Sequence, residues 1–186
     1  MADRNIFTTE RFRIREFTED DREPFVACHF DPVFSSHHLE HERGGAHASS
    51  VFDAFLTWQV EQPRENYQFA VTSRDDPTGY VGNVGLRTRG LPSGEGELGI
   101  ELIPAWWRQG AASEIMRSFV AWAQDSLGIR TFVAETVPEN AAANRLAEAV
   151  GMIATRQTEK RHWSSRAQGS LAISSDNDGL SLKRRL

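Results

Sequence analysis

Glu97-Leu98-Gly99-Ile100-Glu101-Leu102, then Ile103-Pro104-Ala105-Trp106-Trp107, then Arg108-Gln109-Gly110-Ala111-Ala112-Ser113 is the stretch that decides how this chain is read. In its first six residues Glu97, Gly99 and Glu101 alternate with Leu98, Ile100 and Leu102. That period of two sets two carboxylates on one face of a strand and three aliphatics on the other. Apolar residues then recur at Ala112, Ile115, Met116, Phe119, Val120 and Ala123, the stripe of an amphipathic helix that ends near Gly128. A strand, a short connection and a helix start leave backbone amides open to an anion, and the small residues Gly110, Ala111 and Ala112 let a pyrophosphate approach them closely.

Working outward, Phe12, Ile14 and Phe17 among Arg11, Arg13 and Arg15 predict a strand with one buried face. Thr18-Glu19-Asp20-Asp21 offers caps for a helix that carries Pro24, Phe25 and Val26. From Asp31 to Ser50, Asp-Pro, Gly44-Gly45 and four histidines with few apolar anchors predict a mobile loop leading into a helix around Val51 to Gln59. Phe69 to Thr72 and Tyr80 to Leu86 flank a cluster of turn formers, Arg74 to Gly79, and predict an antiparallel hairpin. Downstream, Thr131 to Val137 predicts a strand, Asn140 to Val150 an alanine-rich helix closed by Gly151, and Met152 to Thr155 an extended segment. Gln157 to Asp178 is polar with little periodicity, and Leu180 to Leu186 alternates again. With no repeat and no second composition block, one α/β domain is expected over 1–186.

Hydrophobic residues at 39% and charged residues at 25% are those of a soluble globular chain, and no apolar run approaches the length that crosses a membrane. The segment from Met1 to Arg13 lacks an apolar h-region, and Cys28 has no second cysteine to pair with, so a cytoplasmic protein is expected. A formal net charge of −5 supplies no general attraction to nucleic acid. No Gly-x-x-x-x-Gly-Lys-Ser/Thr is present, and the single Gly110 at the helix start is not a Gly-x-Gly-x-x-Gly fingerprint, which disfavours a nucleoside triphosphatase and a dinucleotide-dependent dehydrogenase. His37, His38, His41 and His47 have no zinc-type spacing, so no metal is expected, and they are read as bordering a binding site or as solvated.

Trp107-Arg108-Gln109-Gly110-Ala111-Ala112 resembles the Gln/Arg-x-x-Gly-x-Gly/Ala signature of the GNAT superfamily. Pro104, Trp107, Gly110 and Ala112 match the Pro-x-x-Trp-x-x-Gly-x-Ala form of its Rim-type branch, which includes the ribosomal-protein alanine N-acetyltransferases. Val137-Pro138-Glu139-Asn140-Ala141-Ala142-Ala143-Asn144-Arg145-Leu146 through Gly151-Met152 resembles the branch's Asn-x-x-Ser-x-x-Leu…Gly-Phe segment, and Arg11 to Phe17 is similar to its opening. Together the matches run over Arg11 to Phe17 and from about Tyr67 to Thr155.

The resemblance implies a twisted, mixed, mostly antiparallel sheet flanked by helices. In it the fourth and fifth strands, here Glu97 to Leu102 and Thr131 to Val137, splay apart around a pantetheine arm. It implies acetyl-CoA as acyl donor, a primary amine as acceptor, and the possibility of a homodimer. A backbone amide at Leu102 or Ile103 would bind the thioester carbonyl. Trp107, Arg108, Gln109, Gly110, Ala111, Ala112 and Ser113 would surround the cofactor phosphates. Asn140 would bond the pantetheine arm, with Asn144 one turn on, although an asparagine before a helix is also a routine N-cap. Proton transfer from the amine falls to Glu101, nearer the splayed end, or to Glu97, unless both simply face solvent or pair with arginines. Where relatives carry a proton-donating Tyr or Ser this chain has Ala147 and Ala143. That departure motivates the alternative of a noncatalytic acyl-CoA-binding module.

Overall fold

The computed structural model describes residues 5–36 and 38–165, so His37 and the alternation over Leu180 to Leu186 lie outside the described residues. Two short strands open the chain, β1 (Asn5–Thr8) and β2 (Phe12–Arg15). Three helices follow, α1 (Arg22–Cys28), α2 (Pro32–Ser35) and α3 (Gly45–Trp58). Then come β3 (Asn66–Ser73), β4 (Tyr80–Arg87), β5 (Glu95–Leu102), α4 (Ala111–Leu127), β6 (Thr131–Thr136), α5 (Ala141–Ala149), β7 (Met152–Gln157) and β8 (Arg161–Ser165). The strands form one sheet in the order β1-β2-β3-β4-β5-β6-β8-β7, in which β5 and β6 run parallel and the other neighbours antiparallel. The expected sheet is therefore present, and its fourth and fifth strands are β5 and β6 because β1 precedes the first strand that periodicity revealed.

Alternation along the strands divides the apolar residues between two cores. Phe69, Val71, Leu98 and Leu102 join Ile115, Phe119, Val120 and Ala123 of α4 on one face, while Ala70 and Tyr80 join Phe17, Phe25, Phe52 and Phe55 on the other. Helix α4 follows its predicted stripe, ending at Gly128 in the left-handed conformation that glycine tolerates without strain. Tyr80 and Asn83, three residues apart, share a face because the register with β3 skips one residue between Tyr80 and Gly82. A bulge of this kind re-aims side chains, and here it turns Asn83 toward Glu101, its partner across β5. At Gly82 a side chain would run into the Glu101 carbonyl and the Leu102 backbone, so only glycine lets β4 and β5 approach this closely.

Three expectations need correction. The segment from Asp31 to Ser50 is not one loop: α2 starts at Pro32, capped by the Asp31 carboxylate, which accepts from the amides of Val33 (2.7 Å) and Phe34 (3.2 Å). A 3-10 turn follows at Glu40–Glu42, and α3 begins at Gly45, six residues before Val51. Gly44-Gly45 reads as a breaker, but Gly44 is the N-cap, and Ala48 in the first turns is fully buried. Strand β1 was not anticipated, because Asn5–Thr8 is too short to show a period. Strand β8 lies in the stretch read as irregular; Trp163 is its one large apolar residue, and pairing with β6 and β7 makes it a strand.

Phe119 is fully enclosed between α4 and the sheet and stacks on Trp122 at 5.4 Å. Phe119→Ala should lower the unfolding free energy by about 3–5 kcal/mol. Urea unfolding of the variant against the parent chain measures it.

Candidate active site

Strand β5 touches β6 over Glu95–Glu97 and Thr131–Val133 and then leaves it. Beyond that point β6 stays paired with β8 along its opposite edge only, so β5 from Leu98 onward faces a gap. Leu98, Gly99 and Ile100 form one wall of the resulting cleft, Ala134, Glu135 and Thr136 the other, and Met116, Ala143, Leu146 and Ala147 its floor. A second depression, between Leu91 to Glu95 and Leu127, lies at the far end of β5 and brings none of the candidate groups below together.

Helix α4 starts at the mouth of this cleft. Glu114 is the first of its residues to bond back into the helix, to the Gly110 carbonyl at 3.0 Å, so the amides of Ala111, Ala112 and Ser113 precede the ladder. Arg108 (φ 60°) and Gly110 (φ 73°) are both left-handed, which turns the chain sharply into the helix with Arg108, Gln109 and Gly110 exposed. The Trp107 indole donates to the Leu102 carbonyl at 2.6 Å and Gln109 to the Ala105 carbonyl at 2.6 Å, tying the turn to the end of β5. From the other side Glu114 accepts from the Thr9 hydroxyl (2.6 Å), the Arg11 amide (2.9 Å) and the Arg11 guanidinium (2.7 Å). Partial burial of Glu114 opposes its charge, but these donors outweigh burial and hold the carboxyl below its ordinary range. The helix N-terminus thus aims its positive dipole end and open amides at one fixed place, the requirement for binding a pyrophosphate.

Of the two candidate oxyanion amides, that of Ile103 donates to the Val81 carbonyl at 3.0 Å. Successive amides of an antiparallel strand point to opposite edges, so that of Leu102 faces the gap. Next to it, Glu101 stands on the opposite face from Leu102, as the alternation predicts. Its Oε1 lies 2.9 Å from His38 Nε2, and its Oε2 accepts from Asn83 Nδ2 at 3.1 Å. Asn83 Oδ1 in turn accepts from Gln68 at 2.7 Å, and its Nδ2 lies 3.3 Å from the Tyr80 hydroxyl. Burial works against charge on Glu101, yet the His38 hydrogen bond, its charge and the Asn83 bond hold the carboxyl below the usual range. Reciprocally, the bond to Glu101 raises the His38 imidazole above its ordinary value. Burial keeps the Tyr80 phenol far above its own, so it stays protonated.

Glu97 sits four residues back, about 13 Å along the strand at ~3.3 Å per residue, in an exposed pair with Arg87 at 3.2 Å. It lies where β5 still pairs with β6. Asn140 caps α5, accepting from the Ala143 amide at 3.0 Å. Asn144 is buried, with its carbonyl on the Thr136 hydroxyl (2.6 Å) and its amide on the Pro138 carbonyl (2.9 Å), bracing β6 against α5. Ala143 and Ala147 present only methyl groups to the cleft. Of the histidine segment, His38 alone is bonded to a candidate residue among the described residues. His29, outside that segment, comes close as well: one donor atom each from His29, His38 and Glu101 lie within 4.8 Å of one another. Periodicity missed Gln68 and Asn83, although a buried polar residue inside an apolar strand is itself a signal.

A parallel strand pair that parts over a helix N-terminus carrying the signature turn is the decisive geometry, and residues 11–153 match the family described as Acetyltransferase (GNAT) domain. The chain belongs to the GNAT acetyltransferase family. This acetyltransferase is 29% identical over 142 residues to a Bacillus subtilis protein named "Uncharacterized N-acetyltransferase YoaA", with 76% of this chain and 78% of the relative covered. Its fold is similar to that of Mycobacterium smegmatis RimJ, solved in complex with CoA-disulfide (TM-score 0.67, 11% identity, 82% and 79% of the two chains covered). It is similar as well to spermidine N-acetyltransferase from Vibrio cholerae, solved with CoA and spermine (TM-score 0.67, 13% identity, 82% and 94% covered). The expected family is borne out, and with it the expected chemistry: the chain is an acetyl-CoA-dependent N-acetyltransferase. No described helix is long and apolar enough to cross a membrane.

Removing Glu114 leaves the Thr9 hydroxyl and the Arg11 amide without their acceptor and frees the start of α4. Glu114→Ala should cost about 1.5–3 kcal/mol of stability and weaken CoA binding roughly tenfold, the loss expected when fixed amides become mobile. Thermal unfolding and calorimetric titration with CoA read the two effects.

Proposed function

We propose that this acetyltransferase moves the acetyl group of acetyl-CoA directly onto a primary amine, a protein N-terminal α-amine or a small amine, with Glu101 receiving the proton of the acceptor. The observation that carries this reading is the adjacency of Glu101 and Leu102: the carboxylate and the amide that faces the gap belong to consecutive residues of one strand. A thioester carbon is already electrophilic, so the enzyme has only to deliver a neutral amine, bind the oxyanion and let the thiolate leave.

An alkylamine is mostly protonated at neutral pH, and an ionised Glu101 attracts the ammonium form and takes one proton from it, directly or through water. The amine nitrogen then attacks the thioester carbon, the carbonyl π electrons move onto oxygen, and the Leu102 amide donates to that oxyanion. Collapse reforms the carbonyl and breaks the carbon–sulfur bond. The nitrogen gives its second proton to water, the thiolate takes one from solvent because Ala143 and Ala147 have none to give, and Glu101 releases its own, so one proton is freed per acetyl group transferred. Asn83 and Gln68 hold the carboxylate in place throughout. The three amides at the start of α4 and Arg108 would meet the cofactor phosphates, with the pantetheine arm along Leu98 to Ile100 and Asn140 at its far side.

A carboxylate at the acceptor side and a chain charge of −5 favour a cationic acceptor. Spermine, bound by the similar Vibrio cholerae enzyme, is one such amine. Glu97, paired with Arg87 where the strands have not yet parted, has no part in this reaction.

Glu101→Gln should lower kcat about 10²- to 10⁴-fold, the usual worth of a general base, with CoA affinity unchanged, while Glu97→Gln keeps full turnover. Free-thiol release from acetyl-CoA against N-terminal Ala and Ser peptides, polyamines and aminoglycosides measures both. Full turnover in Glu101→Gln would remove Glu101 from the reaction, and CoA binding without thiol release for any amine would favour a noncatalytic module.

A further inference from the structure

His38 is not the only imidazole at Glu101. His29 caps the C-terminus of α1 and is buried at 6% exposure, its ring centroid 5.5 Å from that of His38. His29 Nδ1 lies 2.9 Å from the Phe25 carbonyl. A carbonyl oxygen only accepts, so in the neutral ring the proton resides on Nδ1 and Nε2 carries the lone pair. Anchoring of one ring nitrogen on a backbone carbonyl is the outer-shell bond that metal-ligating histidines generally make. Glu101 is held in the same manner, with Oε2 on Asn83, which is held by Gln68, while Oε1 faces His38 Nε2 at 2.9 Å.

Donor atoms from His29, His38 and Glu101 therefore converge within 4.8 Å of one another. A tetrahedral ion with bonds of about 2.1 Å sets its donors about 3.4 Å apart, so binding releases to solvent the proton between His38 Nε2 and Glu101 Oε1, now 2.9 Å apart, and the three side chains adjust by rotation. Two imidazole nitrogens and one carboxylate oxygen with an open fourth position are a donor set that suits Zn²⁺ and its late first-row neighbours. Cys28 is not counted: burial pushes its thiol up to about 12, and its sulfur is bonded to the Phe25 carbonyl.

We propose that His29, His38 and Glu101 form a binding site for a divalent transition-metal ion, Zn²⁺ by its chemistry, and that the bound ion inhibits acetyl transfer by taking the carboxylate that the acceptor needs. The binding half stands on the geometry alone; the inhibitory half rests on the role of Glu101 proposed above. Sequence spacing could not show the site, because its three donors come from the C-terminal cap of α1, from the segment after α2 and from β5, with His38 and Glu101 63 positions apart.

The test uses the full chain freed of metal, titrated with Zn²⁺ by calorimetry and with Co²⁺ by its visible d–d absorption, without substrates. One equivalent should bind. His38→Gln and His29→Gln should each weaken binding at least about tenfold, while His162→Gln, which disrupts the separate His162–Glu135 pair, should leave it unchanged. His29 is buried, so its variant is judged only where the far-UV circular dichroism matches the parent; His38→Gln, in a half-buried segment, keeps the test decisive. Absence of saturable binding, or binding unaltered by His38→Gln, overturns the site. In turnover assays Zn²⁺ should raise the apparent KM for the amine and leave that for acetyl-CoA unchanged. Histidine-dependent binding without inhibition supports the site and overturns the role given to Glu101.

Discussion

The parting of β5 from β6 is the constraint on which the rest of the structure depends. Three residue pairs hold these strands together, and then β6 keeps its pairing with β8 on its opposite edge while β5 runs on without it. An unpaired strand edge inside a sheet is a set of backbone donors and acceptors that water or a ligand must satisfy. The chain fills one side of this wedge with α5 and leaves the other open, so the same geometry that weakens the sheet creates a slot with an amide of β5 facing into it.

Two devices hold the chemistry at that slot, one on each face of the sheet. On one face Glu114 ties the start of α4 to the β1–β2 turn, and Trp107 ties the turn before α4 to the end of β5, so the open amides at the start of α4 are held in place. On the other face the bulge in β4 brings Tyr80 and Asn83 to one side and aims Asn83 at Glu101. Both depend on close backbone approach: Gly110 permits the left-handed turn into α4, and Gly82 permits the contact between β4 and the Glu101 carbonyl. Electrostatics then follow from packing. The carboxylate stays charged in a half-buried setting because hydrogen bonds from His38 and Asn83 compensate what burial removes.

Much of this was legible without coordinates. The stripe from Ala112 to Ala123 defined α4, the alternation over Glu97 to Leu102 defined the faces of β5, and the turn Trp107 to Ala112 with its order relative to both pointed to the family. These signals are local: each is a period or a spacing within about twenty residues. What was misread was local structure without a local signal. Asn5–Thr8 and Arg161–Ser165 are strands because neighbours hydrogen-bond them, and α3 begins at Gly45 because Ala48 and Phe52 pack under it, not because Gly44-Gly45 favours a helix.

The sequence by itself determined the fold family, the start of the helix after β5 and the strand that carries the carboxylates, since periodicity and turn chemistry are properties of contiguous residues. Only the tertiary structure separates the surroundings of Glu101 from those of Glu97, turns the Ile103 amide to Val81 and that of Leu102 to the gap, and brings His38 and His29 to Glu101. Those placements depend on where β6 leaves β5, on which edge of β5 an amide points, and on the folding of α1 and the segment after α2 back over β5. Distances between residues far apart in the chain are set by packing, and no spacing along the sequence encodes them.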